Sequence, residues 1–321
     1  MARRINELSA SQIEMVEKKL IDDLPYKYAL KWFIEDCEVR NLRPFTIAYY
    51  HKELKQFYIY LRETGTTTDM SEFSREDLKS IIKFMQQERK LKSVTINTRL
   101  RAIRTFFNFL EREKHISSDN NPVKNLKLLK DNKQIMETFT KAEINKLLKL
   151  PNMRTMTGLR DYTMMLFMLE TGVRVNELVN IHIHHVDMPN SRVLIASPKG
   201  HRQRYVPVQK EMQEQLKRYL KIRGDVDCTH LWINHDDGAL ARHSWQQIMC
   251  NYGKELDIRA NCHKFRHTFA RMAVERGANP FELQAILGHS TLDQVLTYVN
   301  LFSNDVIKKH EKFSPLQDLN I

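Results

Sequence analysis

The chain has 321 residues, enough for two ordinary domains, and its 42% hydrophobic and 28% charged residues are typical of a globular protein. No apolar run reaches the ~20 residues that a membrane-spanning helix needs, which excludes a membrane protein. The formal net charge of +12 favours a polyanionic partner. Because basic residues outnumber acidic ones in both halves, we expect nucleic acid contacted by both domains, and no membrane.

The N-terminal segment and the cysteines bear on the location of the protein. Residues 1–23 contain no apolar stretch of signal-peptide length, and we interpret them as an N-terminal extension. The four cysteines form no Cys-x-x-Cys pair, which suits reduced thiols rather than disulfides or a metal site. We therefore expect a cytoplasmic protein.

Residues 24–132 are predicted to form an all-α domain. Apolar residues recur at three- and four-residue intervals in the segments 26–39, 44–62, 74–90 and 93–114, which is the pattern of amphipathic helices. Ser74 and Asp77 predict a capping box at the start of the third helix. The fourth helix has a second face that is polar and basic. Together with one lysine of the second helix, this face supplies the candidate DNA contacts, which are Asn97, Arg101, Arg104 and Lys52.

The composition changes between residues 117 and 137, where Asn, Asp and Lys dominate and the apolar periodicity lapses, as in a linker. Residues 133–321 then mix helices and strands. Helices are predicted at 141–150 and 159–170, short strands at 181–187, 192–196 and 204–208, and further helices towards the C-terminus. The fold class is therefore mixed: an all-α N-terminal domain, followed by an α-rich α+β domain with a small antiparallel sheet.

Two basic motifs in the second half each have an ordinary interpretation when taken alone. The segment TGVRVNEL, residues 171–178, places Arg174 at the start of a helix, where it could simply pair with Glu177. The segment SPKGHRQRYVPV, residues 197–208, is a basic hairpin that could be a solvated turn. Its candidate functional residues are Lys199, Arg202 and Arg204, the two arginines as DNA contacts.

Two further motifs lie near the C-terminus. The segment HKFRHTFA, residues 263–270, sets His263 and Arg266 near the N-terminus of a helix, where unpaired backbone N–H groups attract anions. The segment LGHS sets His289 ahead of a helix that contains Tyr298. A tyrosine in an amphipathic helix is most often a core residue, so Tyr298 alone indicates little.

Taken in order, these residues resemble the catalytic set of the tyrosine recombinase (phage integrase) family, and the helical first half resembles that family's core-binding domain. The resemblance implies that Tyr298 is a nucleophile that cuts and rejoins DNA strands through a 3′-phosphotyrosyl intermediate, without a cofactor. The other residues that it implies are Arg174 and Arg266 as phosphate clamps, Lys199, His263 and His289 as proton-transfer and hydrogen-bonding groups, and Glu177 as the acidic residue after the first arginine. Phe265 departs from the family, which usually has leucine there, but the exchange is apolar.

The chemistry of these residue types agrees with the resemblance. Two guanidinium groups stabilise the negative charge that builds on a phosphate during strand exchange, by paired and charge-assisted hydrogen bonds. A phenol with a pKa near 10 is a weak nucleophile at neutral pH and needs a base, for which His263 is the candidate. The leaving oxygen needs a proton, which Lys199 is expected to supply.

Three other interpretations fit parts of the sequence. A type IB topoisomerase would use similar residues, but the compact helical first domain and the hairpin sequence favour a recombinase. A DNA-binding regulator that does not cut DNA would have no need of Tyr298 or of a second arginine. A zinc site at His182, His184 and His185 lacks a second group of ligands, and a half-exposed strand is the better interpretation.

The assembly is predicted from the tail and from the resemblance. Residues 303–313 can form a short helix with a narrow apolar face, which we expect to dock on a neighbouring protomer. The resemblance implies that both domains encircle duplex DNA and that four protomers form the synaptic complex on the target sites. An accessory protein or a partner recombinase is left open. So is the biological task, which could be integration and excision of a mobile element or resolution of DNA dimers.

Overall fold

The computed structural model describes residues 24–130, 136–196 and 203–302. The predictions for residues 1–23, for Lys199 and Arg202, and for the tail helix at 303–313 lie outside the described residues. Contacts divide the chain into two compact units, residues 1–133 and residues 134–321. None of the described helices is both long and apolar enough to cross a membrane.

The first unit is built from helices. Its described helices are α1 (Tyr26–Val39), α2 (Pro44–Thr64), α3 (Arg75–Gln87) and α4 (Ser93–Arg112). The predicted capping box is confirmed, since the Ser74 side chain accepts a hydrogen bond from the Asp77 N–H and the Asp77 carboxylate accepts one from the Ser74 N–H. The predicted helices end within three residues of the observed ones, because a regular apolar face fixes which residues are buried.

Aromatic side chains fill the core of the first unit. Phe33, Phe57, Phe106 and Phe107 are completely buried and contact one another mostly edge to face. Burying each such side chain contributes about 2 to 3 kcal/mol to the stability of the unit. The core therefore holds α4 rigidly and fixes which of its faces is exposed.

The second unit combines helices with one small sheet. Its described elements are α5 (Lys141–Lys149), α6 (Met156–Thr171), α7 (Val175–Val179), β1 (Val186–Asp187), β2 (Arg192–Ile195), β3 (Arg204–Pro207), α8 (Lys210–Arg223), α9 (Arg242–Glu255), α10 (Cys262–Glu275), α11 (Pro280–Leu287) and α12 (Asp293–Phe302). The strands run antiparallel in the order β1-β2-β3, with Val193 opposite Val206. The predicted fold class, all-α followed by α-rich α+β with a small antiparallel sheet, is confirmed.

One predicted strand is mostly wrong. In the segment 181–187 only Val186–Asp187 is a strand, and Ile183–His185 forms a short 3-10 helix. The backbone N–H of His182 donates to Nδ1 of His185 (3.1 Å), and the N–H of Ile183 donates to the carbonyl of Thr229 (2.9 Å). The bond of Ile183, with the one from the N–H of Leu231 to the carbonyl of Ile181 (2.7 Å), forms a single antiparallel bridge between His182 and His230 instead of a continuous strand pair. Among the described residues, no group of three His, Cys, Asp or Glu side chains is arranged to hold a metal ion.

Helices α10, α11 and α12 pack together around their own apolar cluster. The cluster includes Ala270 and Val274 of α10, Leu283 of α11, and Val295 of α12. Tyr298 belongs to the same cluster and is only 4% exposed. This packing brings residues of α10 and α12 that are about 30 positions apart into direct contact, which creates the site described next.

Candidate active site

Arg266 lies at the centre of the candidate site. Helix α10 begins after Asn261, whose side chain accepts a hydrogen bond from the N–H of Lys264 (2.9 Å), and Arg266 follows in the first turns of the helix. The Arg266 guanidinium is 4% exposed and donates to the carbonyl oxygens of Gly172 (2.7 Å) and Leu287 (2.9 Å). Burial, and the nearby Arg174 charge, lower the pKa of Arg266 to about 10. It is still a cation at neutral pH.

Gly172 makes the approach of α6 and α10 possible. It ends α6 with a left-handed φ of 60°, and a Cβ there would lie 2.4 Å from the ring of Phe269. Only glycine adopts this conformation without strain and leaves room for the ring. The chain therefore turns sharply after Gly172 and brings Arg174 to the start of α7.

Glu177 fixes the position of Arg174. The Arg174 N–H donates to Oε2 of Glu177 (2.8 Å), and Arg174 Nη1 donates to Oε1 (3.0 Å). The Arg174 side chain is 39% exposed, whereas that of Glu177 is 11% exposed. Arg174 also lies near the carbonyl of Gly288, at 3.4 Å from Nη2. The pairing with Glu177, proposed from the sequence as the ordinary interpretation, is present and leaves part of the guanidinium open to solvent.

Arg204 has a different position from the one predicted. We expected it to contact DNA, but its guanidinium is 11% exposed and donates twice to Glu177, at 3.1 Å to Oε1 and 2.9 Å to Oε2. Its Nε donates to the carbonyl of Ile286 (2.6 Å). The sequence could not reveal this, because the partners lie 27 and 82 positions away. Arg204 thus connects β3 to α7 and to the C-terminal end of α11.

The network around Glu177 predicts a pH-dependent stability. Burial alone raises the pKa of Glu177, but hydrogen bonds and charges from Arg204 and then Arg174 outweigh it and lower the pKa from 4.5 to about 2. A carboxylate with a depressed pKa stabilises the fold above its unfolded-state value, and this stability is lost as the pH falls from about 4.5 towards 2. The shift corresponds to about 3 kcal/mol.

We therefore expect Glu177→Gln to be less stable than wild type at pH 7. As the pH falls, wild type should lose the contribution of the Glu177 carboxylate, so the difference in stability between the two proteins should shrink. Thermal unfolding of both proteins between about pH 3 and pH 7 measures the difference. The control is Glu275→Gln, which removes an exposed ion pair with Arg271 and should cost ~1 kcal/mol or less. Parallel pH profiles for wild type and Glu177→Gln would show that the carboxylate does not stabilise the site.

Tyr298 points its hydroxyl into the site. Tyr298 Oη lies 2.9 Å from Nδ1 of His267. Burial raises the pKa of Tyr298, while the neighbouring Arg266 and Arg174 lower it in part. His267 is not among the residues predicted from the sequence, although it directly follows Arg266 and lies one helical turn after His263. That i, i+4 spacing was the only available signal.

His289 also lies close to the tyrosine. Gly288 ends α11 with a left-handed φ of 64°, and the His289 ring then stacks near the Tyr298 ring with centroids 6.1 Å apart. Burial, followed by the charges of Arg266 and Arg174, lowers the pKa of His289 to about 4, so its ring is neutral at pH 7. Its Nδ1 is buried without a hydrogen-bond partner among the described residues. Such an atom is available to a ligand.

His263 occupies a more peripheral position. Its side chain is exposed at the start of α10, and its ring centroid is 6.5 Å from that of His267. Of the predicted site residues, the structure thus brings together Arg174, Glu177, Arg266, His289 and Tyr298, with His263 at the edge. The arrangement offers two guanidinium groups, neutral imidazoles and one phenol, which suits an anionic substrate attacked by an oxygen nucleophile.

The candidate DNA contacts of the first unit divide into two groups. Asn97 is 5% exposed, and its amide bonds both backbone groups of Leu129, at 3.0 and 2.8 Å, so a DNA contact would require these bonds to break. Arg104 donates to the carbonyl of Leu126. Arg101 and Lys52 have exposed side chains. These two residues can reach a ligand without breaking an internal bond.

Two family models and several curated relatives match this chain over most of its length. The family model described as the Phage integrase family matches residues 137–304, and the model of the phage integrase N-terminal SAM-like domain matches residues 30–114. The tyrosine recombinase XerC of Herpetosiphon aurantiacus is 31% identical over 280 residues, which are 85% of this chain and 90% of that protein. XerC of Anoxybacillus flavithermus is 29% identical over 284 residues, covering 85% and 93%.

A solved structure has a similar fold. A lambda integrase dimer bound to a COC′ core site matches with a TM-score of 0.73 and 14% identity, covering 92% of this chain and 81% of that one. The two folds are therefore alike well beyond what their sequences share.

Proposed function

The chain belongs to the phage integrase family, the tyrosine site-specific recombinases, and we propose that it cleaves and rejoins DNA through a covalent bond to Tyr298. The observation that supports this most directly is the position of the Tyr298 hydroxyl, which lies beside two arginines and two imidazoles that can handle an anion and a proton. Neither alternative, a type IB topoisomerase or a DNA-binding regulator, is favoured by the relatives.

The proposed reaction assigns a role to each group. Tyr298 Oη attacks the phosphorus, the P–O5′ bond breaks, and Arg174 and Arg266 hold the non-bridging oxygens by paired hydrogen bonds. His289 donates a hydrogen bond to the same phosphate. Lys199, outside the described residues, gives a proton to the leaving 5′-oxygen. The phosphotyrosyl ester keeps the bond energy, so rejoining needs neither ATP nor a metal, and we propose no cofactor.

The experiment that tests this function is covalent trapping. Because the target sequence is unknown, the probe is a library of nicked duplexes prepared from total DNA of the source organism. The protein should form adducts that resist detergent, release DNA after protease digestion and appear with EDTA present. Sequencing the trapped strands gives the target site. Strict dependence on magnesium, or no adduct on any duplex, would contradict the proposal.

The first unit, residues 24–132 by the sequence prediction, is proposed to hold DNA by contacts to its backbone. Arg101 and Lys52 are the exposed cations that support this proposal, and Arg202 is proposed to contribute from the hairpin. Each cation that neutralises a phosphate releases counterions, so binding should weaken steeply as salt rises.

We expect Arg101→Ala to bind the trapped site more weakly and to reduce the slope of log affinity against log salt by about 1. Fluorescence anisotropy at several salt concentrations measures both quantities. The matched control is Lys31→Ala, which removes an exposed lysine of α1 that faces Glu35 at 3.8 Å and should leave the slope unchanged. An unaltered slope for Arg101→Ala would remove this residue from the interface.

The assembly and its biological task are also proposals. Strand exchange joins two duplexes, each cut on two strands, so four active tyrosines are required, and we propose a tetramer on DNA in which residues 303–313 dock on the next protomer. We propose a cytoplasmic location, where the DNA substrate of such an enzyme lies. Integration and excision of a mobile element or resolution of DNA dimers, alone or with a partner recombinase or an accessory protein, are the tasks open to this chemistry.

A further inference from the structure

His267 occupies the position that a proton acceptor for Tyr298 requires. Its Nδ1 lies 2.9 Å from Tyr298 Oη, which is ordinary hydrogen-bond distance. The two residues belong to different helices, α10 and α12, which pack closely through Ala270 and Val295. The contact is therefore fixed by the core rather than by a flexible loop.

The surrounding charges determine which atom holds the proton. Arg266, also on α10, faces the same tyrosine oxygen and can only donate hydrogen bonds. The hydroxyl proton is then left to point at Nδ1 of His267. The titratable and charged groups near this pair are His263 and Arg266 on α10, His289 after α11, and Arg174 at the start of α7.

His267 is also in the right protonation state. Burial, followed by the nearby His263 and Arg266, lowers its pKa below the usual 6.5. The imidazole is therefore neutral at pH 7 and keeps a lone pair. A neutral imidazole can accept a proton during attack and return it when the DNA strand is rejoined.

We propose that His267, rather than His263, takes the proton of Tyr298 during strand cleavage. As the Oη–P bond forms and the P–O5′ bond breaks, the phenolic proton passes to Nδ1 of His267, and the leaving 5′-oxygen takes a separate proton from Lys199. Rejoining reverses both transfers. This assignment rests on the proposed function of Tyr298.

His263 is less well placed for this role. It is exposed, and the hydrogen bond that the structure gives between a histidine of α10 and the Tyr298 hydroxyl is made by His267. It can still contact the DNA phosphate. The two histidines thus lie on one face of α10, one turn apart, and only the inner one touches the reacting oxygen.

Two substitutions separate basicity from positioning. His267→Asn keeps an acceptor oxygen close to the position of Nδ1 but cannot take a proton, whereas His267→Ala removes both functions. The substrate is the trapped site with sulfur replacing the bridging 5′-oxygen at the cleaved phosphate. A thiolate leaves without protonation, so this substrate bypasses the need for Lys199 and isolates the step at Tyr298.

On this substrate we expect Lys199→Ala to lose far less of its rate than on the ordinary phosphodiester, because the thiolate leaves without a proton. His267→Asn should be slower by about 100-fold or more. The rate of His267→Asn should keep rising with pH towards the pKa of the Tyr298 phenol, because only the ionised phenol then attacks. The rate of wild type should stay level above the pKa of His267, where the imidazole is already neutral. Added imidazole should accelerate His267→Ala, because it supplies the missing base.

The possible outcomes are distinct. A wild-type rate and pH profile for His267→Asn would overturn the inference, as would a larger loss in His263→Ala on the sulfur substrate. Failure of wild type to form any adduct would instead contradict the proposed function itself. DNA binding by each variant, measured by anisotropy, shows that the protein is folded.

Discussion

Tyr298→Phe is expected to bind the trapped DNA site with wild-type affinity and to form no covalent adduct. The substitution removes one oxygen and keeps the ring, which packs in the cluster of α10, α11 and α12. Loss of the hydrogen bond to His267 should lower the free energy of unfolding by about 1 kcal/mol, too little to unfold the unit. The covalent step, in contrast, depends on the hydroxyl that the substitution removes. Denaturing gel electrophoresis after incubation with nicked DNA measures it.

The control for this prediction is Tyr252→Phe. It also removes a tyrosine hydroxyl from the second unit, one that donates to Asp161 at 3.0 Å, and should retain adduct formation. If Tyr298 is only a core residue, both variants behave alike. An adduct formed by Tyr298→Phe at the wild-type rate would end the assignment of the nucleophile.

Arg266→Lys is expected to slow adduct formation by at least 100-fold while DNA binding changes far less. Lysine keeps the positive charge but cannot present two parallel N–H groups to a phosphate. Removing one preorganised donor to a developing negative charge typically costs 100- to 1,000-fold in rate, ~3 to 4 kcal/mol. Single-turnover kinetics on the trapped site measures the loss.

Stability has to be separated from catalysis in this variant. Arg266 also donates to the carbonyls of Gly172 and Leu287, so the substitution weakens contacts between α6, α10 and α11. Arg271→Lys is the matched control, since Arg271 lies on the same helix and bonds Thr138 Oγ1 and the carbonyl of Phe139 instead. A similar fall in unfolding temperature for both variants, with slow cleavage only in Arg266→Lys, supports the catalytic role. Equal cleavage rates for Arg266→Lys and Arg271→Lys would contradict this role.

Local patterns were sufficient for much of the fold. The helices of the first unit follow from apolar residues at three- and four-residue spacing, and the capping box of Ser74 and Asp77 follows from two residues three positions apart. The segment 181–187 shows the limit of such patterns. Its sequence favoured a strand, but His182 forms only a single bridge with His230, far along the chain, and the N–H of His185 turns back to the carbonyl of His182 to give a 3-10 helix.

The family can be read from the order of Arg174, Arg266, His289 and Tyr298 along the chain, since residues required by one chemistry recur in one order. How these residues are held follows from the packing of the helices. Arg204 pairs with Glu177, Asn97 bonds Leu129, and His267 lies within hydrogen-bond distance of the tyrosine hydroxyl. The physical reason is that each of these contacts joins residues 27 or more positions apart. Their distances depend on how the helices pack, and a pattern that spans one or two helical turns carries no information about that packing.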